Sequence, residues 1–383
     1  MSAVSFTVAL GYGIVAPAIP DFARQFGVGV AAAASVVSAF ALMRVLFALP
    51  AGRLVDRFGS RRVMAIGIAV VAISSLLAGF SQSFVQLLVL RGVGGLGSAM
   101  FSVSAQALLL ASVPSGQRGR ASGLYTGGFL LGGITGPALG GVVAAWSLRA
   151  PFFLYGALLV VPAVIATVAL GPVARRVTPQ ATTGPRDSLA VLARALRSRA
   201  YLGVAAVNLA DGFAVLGIRG AIIPLYVRDS LHRSATWTGI GFLVFAALNA
   251  AALLPAGRVA DTLGRRPVMV AGCAVSAAGL LLLAVLPGPW AYLGALAVAG
   301  AGSGLLDVAP SAMLGDLLSA QARQGGVLVA FFQMAGDVGT VSGPVVAGLL
   351  VEGASYSAAF GLAGGVLAAA ALLALMTREG RRP

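Results

Sequence analysis

The chain has 383 residues, 59% of them hydrophobic and only 10% charged, with a mean hydropathy of +0.97, so too little polar side chain is available to cover a globule in water. All 26 basic residues are arginine, which excludes a nucleotide-binding P-loop and a Schiff-base enzyme, both of which need lysine. One cysteine, Cys273, and one histidine, His232, exclude a disulfide within the chain and a Cys/His metal cluster; neither metal nor cofactor is expected.

A helix needs about 20 apolar residues to cross a bilayer core. Twelve such runs are predicted, near 2–19, 29–51, 63–82, 85–112, 122–145, 150–170, 201–227, 236–256, 267–286, 290–313, 326–350 and 355–376. The first starts almost at Met1 with no basic stretch before it, and reads as a spanning helix rather than a cleavable signal; the native start can lie upstream. Residues 171–200 form the one long polar connection and divide the chain into 1–170, a 171–200 linker and 201–383. Within the linker, Leu189, Leu192, Ala193 and Leu196 recur at helical spacing beside Arg194 and Arg197, predicting a short helix on the inner membrane face.

The net charge of +15 would suit nucleic acid if gathered in one patch, but the arginines follow the connections between runs. With the N-terminus inside, 19 fall on the cytosolic side and four outside (Arg24, Arg149, Arg228, Arg233), which predicts a multi-pass protein with both termini cytosolic. Three more, Arg44, Arg91 and Arg219, fall inside apolar runs.

The chain repeats itself. Gly52-Arg53-Leu54-Val55-Asp56-Arg57-Phe58-Gly59-Ser60-Arg61-Arg62, a charged turn between the second and third runs, recurs as Gly257-Arg258-Val259-Ala260-Asp261-Thr262-Leu263-Gly264-Arg265-Arg266. Gly132, Gly136, Pro137, Gly140 and Gly141 in the fifth run are echoed by Gly339, Gly343, Pro344, Ala347 and Gly348 in the eleventh, and Gly97 by Gly302.

The repeated turn resembles the signature loop of the major facilitator superfamily, and the likeness covers nearly the whole chain. It implies an all-α membrane protein of twelve transmembrane helices in two six-helix pseudo-symmetric halves. The fifth-run glycines and Pro137 resemble that family's antiporter signature, although glycines four apart also serve simple close packing. Arg91-Gly92-Val93-Gly94-Gly95-Leu96-Gly97 resembles an Arg-centred motif linked to proton transfer, with Gly94 where the family usually has glutamine; a fixed structural ion pair is the alternative role for Arg91. By the same resemblance, Asp56 with Gly52, Arg57, Gly59, Arg61 and Arg62 forms a cytosolic latch, with Asp261 as a weaker counterpart; a solvated loop acid is the plainer reading.

Acids inside the apolar runs are transport candidates by default: Asp211, Asp307 and Asp337. Three acids against three arginines could equally form inert pairs. Asn208, Asp211, Val215 and Arg219 share a broad helical face, and Gln333 and Asp337 are four apart. No acid lies in the first or fourth run, the nearest being Asp21 at the outer rim, which moves proton coupling to the second half, with Asp337 preferred for its place before the Gly343-Pro344 bend. Arg44 balances an acid or meets a polar part of a substrate. Further cavity candidates are Tyr12, Asn208, Asn249, Gln333 and Phe245, with Phe40, Phe129, Phe242 and Phe332 as walls or packing. The expected activity is proton-coupled efflux of small, largely apolar compounds or drugs by alternating access, without bond-breaking catalysis. Substrate, protons and lipid are the expected partners, nucleic acid is not, and the protein acts as a monomer. Transport of a polar metabolite such as a sugar, and a non-transporting membrane sensor of the same fold, are the rivals.

Overall fold

A computed structural model describes residues 2–112, 118–168, 198–319 and 325–376. Among these residues all the regular secondary structure is helical. The helices are α1 (Ser2–Val15), α2 (Ile19–Arg24), α3 (Val30–Phe58), α4 (Ser60–Gly79), α5 (Phe84–Ser112), α6 (Arg118–Trp146), α7 (Ala150–Leu158) and α8 (Val160–Val168). They continue with α9 (Arg199–Asp211), a π-helical stretch (Gly212–Ile218), α10 (Arg219–Asp229), α11 (Ala235–Leu263), α12 (Arg265–Val285), α13 (Pro289–Leu306), α14 (Ala309–Ser319), α15 (Gly325–Gly353) and α16 (Tyr356–Met376). Among the described residues eleven stretches are long and apolar enough to cross a membrane, and the sixth expected span is a shorter apolar helix, Ala150–Ala166. Helices are the expected solution, because no water is available in a bilayer core to satisfy the backbone. Large apolar side chains such as Leu49, Leu254 and Leu372 accordingly stay exposed, while Trp146 and Trp290, 82% and 77% exposed, stand at helix ends where an indole suits the membrane–water boundary.

Contacts divide the chain into two compact units, Met1–Gln180 with Ala221–Leu243, and Ala181–Gly220 with Val244–Pro383. Residues 221–243 group with the first unit. The short linker helix lies outside the described residues.

The charged turns are mostly helix. Both α3 and α11 run 29 residues, each with an internal proline, Pro50 or Pro255. Each stops at one glycine, Gly59 (φ +84°) or Gly264 (φ +101°), where a left-handed residue reverses the chain at no Cβ cost. Arg61 Nε then donates to Ala166 O at 3.2 Å, and Arg266 Nε donates to Ala374 O at 3.2 Å. Two turns of the same sequence pattern thus tie the start of the next helix to the sixth span of its own repeat.

Candidate functional site

The small residues of α6 and α15 set how closely the helices approach. Gly132, Gly136 and Gly140 lie on the carbonyl oxygens of Phe6, Leu10 and Ile14 in α1, so that a Cβ at Gly136 would sit 2.6 Å from Leu10 O. Gly339 and Gly343 lie in the same way on Leu209 O and Phe213 O. Polar side chains tie the same pairs of helices: Ser5 Oγ donates to Tyr125 O at 2.8 Å, and Asn208 Nδ2 donates to Phe332 O at 2.6 Å. Gly141 meets a third helix, where a Cβ would lie 2.7 Å from Gly239 Cα. The expected antiporter motif is therefore a backbone-to-backbone seam.

These contacts give the register between the two repeats. Phe6 and Leu10 in α1 correspond to Leu209 and Phe213, both 203 positions on, whereas Gly13 and Gly217, which face Pro137 and Pro344, are 204 apart. The second repeat holds one extra residue between 213 and 217, and the π-helical stretch is where the chain absorbs it. The consequence falls on the flanking charges. Eight α-helical residues would leave Asp211 and Arg219 ~80° apart, whereas with one residue absorbed the step equals seven and the two are ~20° apart.

The second unit gathers acids around this feature. Among the described residues no donor reaches the buried Asp211 Oδ1, and Asp307 and Arg219 are close enough to act on Asp211 by their charges. Asp307, one residue past α13, accepts from Asn249 Nδ2 at 2.8 Å, and the same Nδ2 lies 3.3 Å from Ser303 Oγ. The Arg219 guanidinium sits 4.2 Å from the Phe245 ring centroid, and its Nε donates to Val215 O at 3.1 Å, in the π stretch. Of the expected site residues, Asp211, Arg219, Phe245, Asn249 and Asp307 thus come together. Asp337 is half-buried on α15, beside Gly336, whose carbonyl abuts Gly212. Gln333 is exposed, while Phe242 and Phe332 are buried packing residues.

In the first unit the intramembrane charge is basic. Arg91 is 2% exposed and sits 4.6 Å over the Phe40 ring, which Tyr12 approaches at 5.6 Å between centroids; Arg44 follows Phe40 by one turn of α3 and is half-buried. Phe129 pairs instead with Tyr125. The latch acids Asp56 and Asp261 have side chains outside the described residues; around Asp56, Arg57 packs on the Phe58 ring at 5.3 Å and Arg62 is exposed. A polar cluster that the sequence reading did not assemble lies at the far end of α2. Arg228 is 3.0 Å from Asp21 and 2.9 Å from Asp229, with Arg24 3.9 Å from Asp229, so the end of α10 is clamped to α2.

The family model of the Major Facilitator Superfamily matches residues 1–219 and 204–383, twice over and across the whole chain. The chain belongs to the major facilitator superfamily. Among superfamily relatives it is 28% identical over 367 residues to the multidrug resistance protein MdtG of Enterobacter lignolyticus, covering 93% of this chain and 84% of that protein. It is 36% identical over 151 residues to the multidrug resistance protein Stp of Mycobacterium tuberculosis, a match spanning 39% of this chain but only 28% of Stp. The quinolone resistance protein NorA of Staphylococcus aureus is 28% identical over 163 residues, 43% of this chain and 42% of NorA. In fold it is similar to a bacterial homologue of the lysosomal transporter Spinster (TM-score 0.77, 15% identity, 98% and 93% coverage) and to the nucleoside transporter NupG (TM-score 0.78, 14% identity, 98% of both chains). At those identities the likeness is one of fold.

Proposed function

We propose that this superfamily member exports small, largely apolar organic compounds in exchange for protons, by alternating access, with Asp211 and Asp307 carrying the exchanged proton. The observation that carries this reading is the paired acids of the second unit: Asp211, with one oxygen lacking a donor, lies within the field of a second carboxylate and of Arg219. Two acids that interact through a shared cation give a group whose charge can change by one at small structural cost, as coupling requires. The relation to MdtG along nearly the whole chain supports drug-like cargo. Asn249 holds Asp307 through one hydrogen bond, and the seams of α6 and α15 let helices rotate against each other without side chains in the way. The protein works as a monomer in the cytoplasmic membrane with both termini inside, the latch around Asp56 closing the cytosolic face.

Reconstitution into proteoliposomes with an imposed pH gradient and a panel of cationic dyes tests the coupling. Asp211→Asn and Asp307→Asn should lose uphill export while retaining downhill exchange; full gradient-driven export in both would sink the assignment and return Asp337 to first place. For orientation, single cysteines in a Cys273→Ser background at the exposed Gln82 and Gly353 should react with an impermeant thiol reagent from outside, and one at the exposed Thr262 should not; labelling of all three in sealed cells would contradict the topology.

A further inference from the structure

Among the described residues of its own unit, Arg91 has no counter-charge beside it. Its Nε and Nη2 are buried and make no hydrogen bond, although the residue is only 2% exposed. The two groups acting on it electrostatically, Tyr12 and Tyr155, bear hydroxyls and not carboxylates. The first unit contains three acids, Asp21, Asp56 and Asp229. Asp21 and Asp229 are engaged with Arg228 at the end of α2, and Asp56 lies sixteen residues beyond Phe40 on α3, roughly 24 Å along the helix axis. At Gly94, one turn after Arg91, no side chain supplies the amide that the resemblance led us to expect; a Cβ there would meet Ser74 Oγ at 3.0 Å and the Phe40 ring at 3.5 Å. A guanidinium in hydrocarbon with two nitrogens that donate no hydrogen bond is costly, and an aromatic face offsets only part of that cost.

We propose that Arg91 is an anion subsite, and that the compounds this protein handles include aromatic carboxylates. The acid group is held by the guanidinium in charge-assisted hydrogen bonds and the ring lies against Tyr12 and Phe40. Tyr12, 38% exposed and tilted at 36° against the Phe40 ring, is the accessible edge, and Arg44 one turn along α3 adds positive charge on the same side. This rests on the reading of the chain as a small-molecule exporter, and adds a substrate class to it.

The test uses the full-length protein in lipid nanodiscs at one fixed pH, with equilibrium dialysis of naphthoate, pyrenebutyrate and dansylglycine and of their methyl esters. The wild type should retain the acids roughly ten-fold or more better than the esters, since charge-assisted hydrogen bonds are lost on esterification. Arg91→Gln should lose the preference with ester retention unchanged, which also reports an intact fold, and Arg91→Lys should keep part of it. Asp211→Asn should keep the whole preference even where gradient-driven export is gone, so failure of the coupling assignment is read separately. Equal retention of acids and esters by the wild type, retention of neither, or an undiminished preference in Arg91→Gln overturns the proposal.

Discussion

The two units share a skeleton and differ in charge. In each, a phenylalanine at the same place in the repeat, Phe40 or Phe245, has its carbonyl against a glycine, Gly95 or Gly300, and its ring under an arginine. The arginines come from different helices. Arg91 is delivered by α5, whereas Arg219 is delivered by the start of α10, just after the π stretch. Around them, the positions of Arg44 and Ser102 in the first unit are held by Asn249 and Asp307 in the second, both 205 residues on. Glycine and proline positions fix how closely backbones approach and are retained in both repeats, while the polar positions beside them are free to diverge. Inside the apolar runs the first unit carries Arg44 and Arg91, whereas the second carries Asp211, Asp307 and Asp337 beside Arg219.

The largest effect is expected from breaking the shared skeleton. Gly136→Val places side-chain atoms on Leu10 O and Gly13 Cα, backbone on both counts, and should abolish the monodisperse folded protein after detergent extraction. Gly133→Val, three residues earlier on the same helix and facing open space, should extract normally; equal behaviour of the pair would contradict the seam.

Next comes the feature one unit has and the other lacks. Deleting Leu216, which is exposed in the π stretch, should restore a plain α-helix in register with α1. We expect a melting temperature equal to or above that of the wild type, with export slowed roughly ten-fold or more, because helix irregularities of this kind are kept for function at a cost in stability. A deletion variant that melts much earlier would show that the residue is needed for folding alone.

A smaller effect is expected at Asn249. Asn249→Ala leaves Asp307 without its 2.8 Å donor, and the loss of one hydrogen bond to a carboxylate should alter the pH dependence of export by up to about one pH unit without abolishing it. The smallest is expected at the rim: Arg228→Ala removes the 3.0 Å bridge to Asp21, but the arginine side chain is 35% exposed, so melting should fall by only a few degrees. A larger loss there than at Gly136 would invert this order.

Much of this was legible in the sequence, for physical reasons. Apolar runs of membrane length, arginine placement and the recurrence of Gly52–Arg62 at Gly257–Arg266 gave the helices and the repeat, because bilayer thickness and backbone satisfaction leave few alternatives. The expected charged turn was too long, since helix persists to Phe58 and a single left-handed Gly59 suffices to reverse the chain. The acids were identifiable, but their grouping was not. Asp337 is marked by its proximity to Pro344, whereas Asp211 and Asp307 share the field of Arg219 from different helices, a relation that spacing along one helix cannot show. The π stretch was missed although its trace is present: Gly13-Ile14 aligns with Gly217-Ile218 at an offset one greater than the residues before it, a signal that emerges only when packing fixes both registers.

Proton release on ligand binding tests the acidic role of the second unit most directly. In weakly buffered detergent solution with a pH indicator, addition of tetraphenylphosphonium to wild-type protein should release protons in proportion to the protein present. Asp211→Asn and Asp307→Asn should each lose most of that release while Arg91→Gln keeps it. Release that is undiminished in both aspartate variants, or abolished by Arg91→Gln alone, would place the exchanged proton in the first unit and contradict the account.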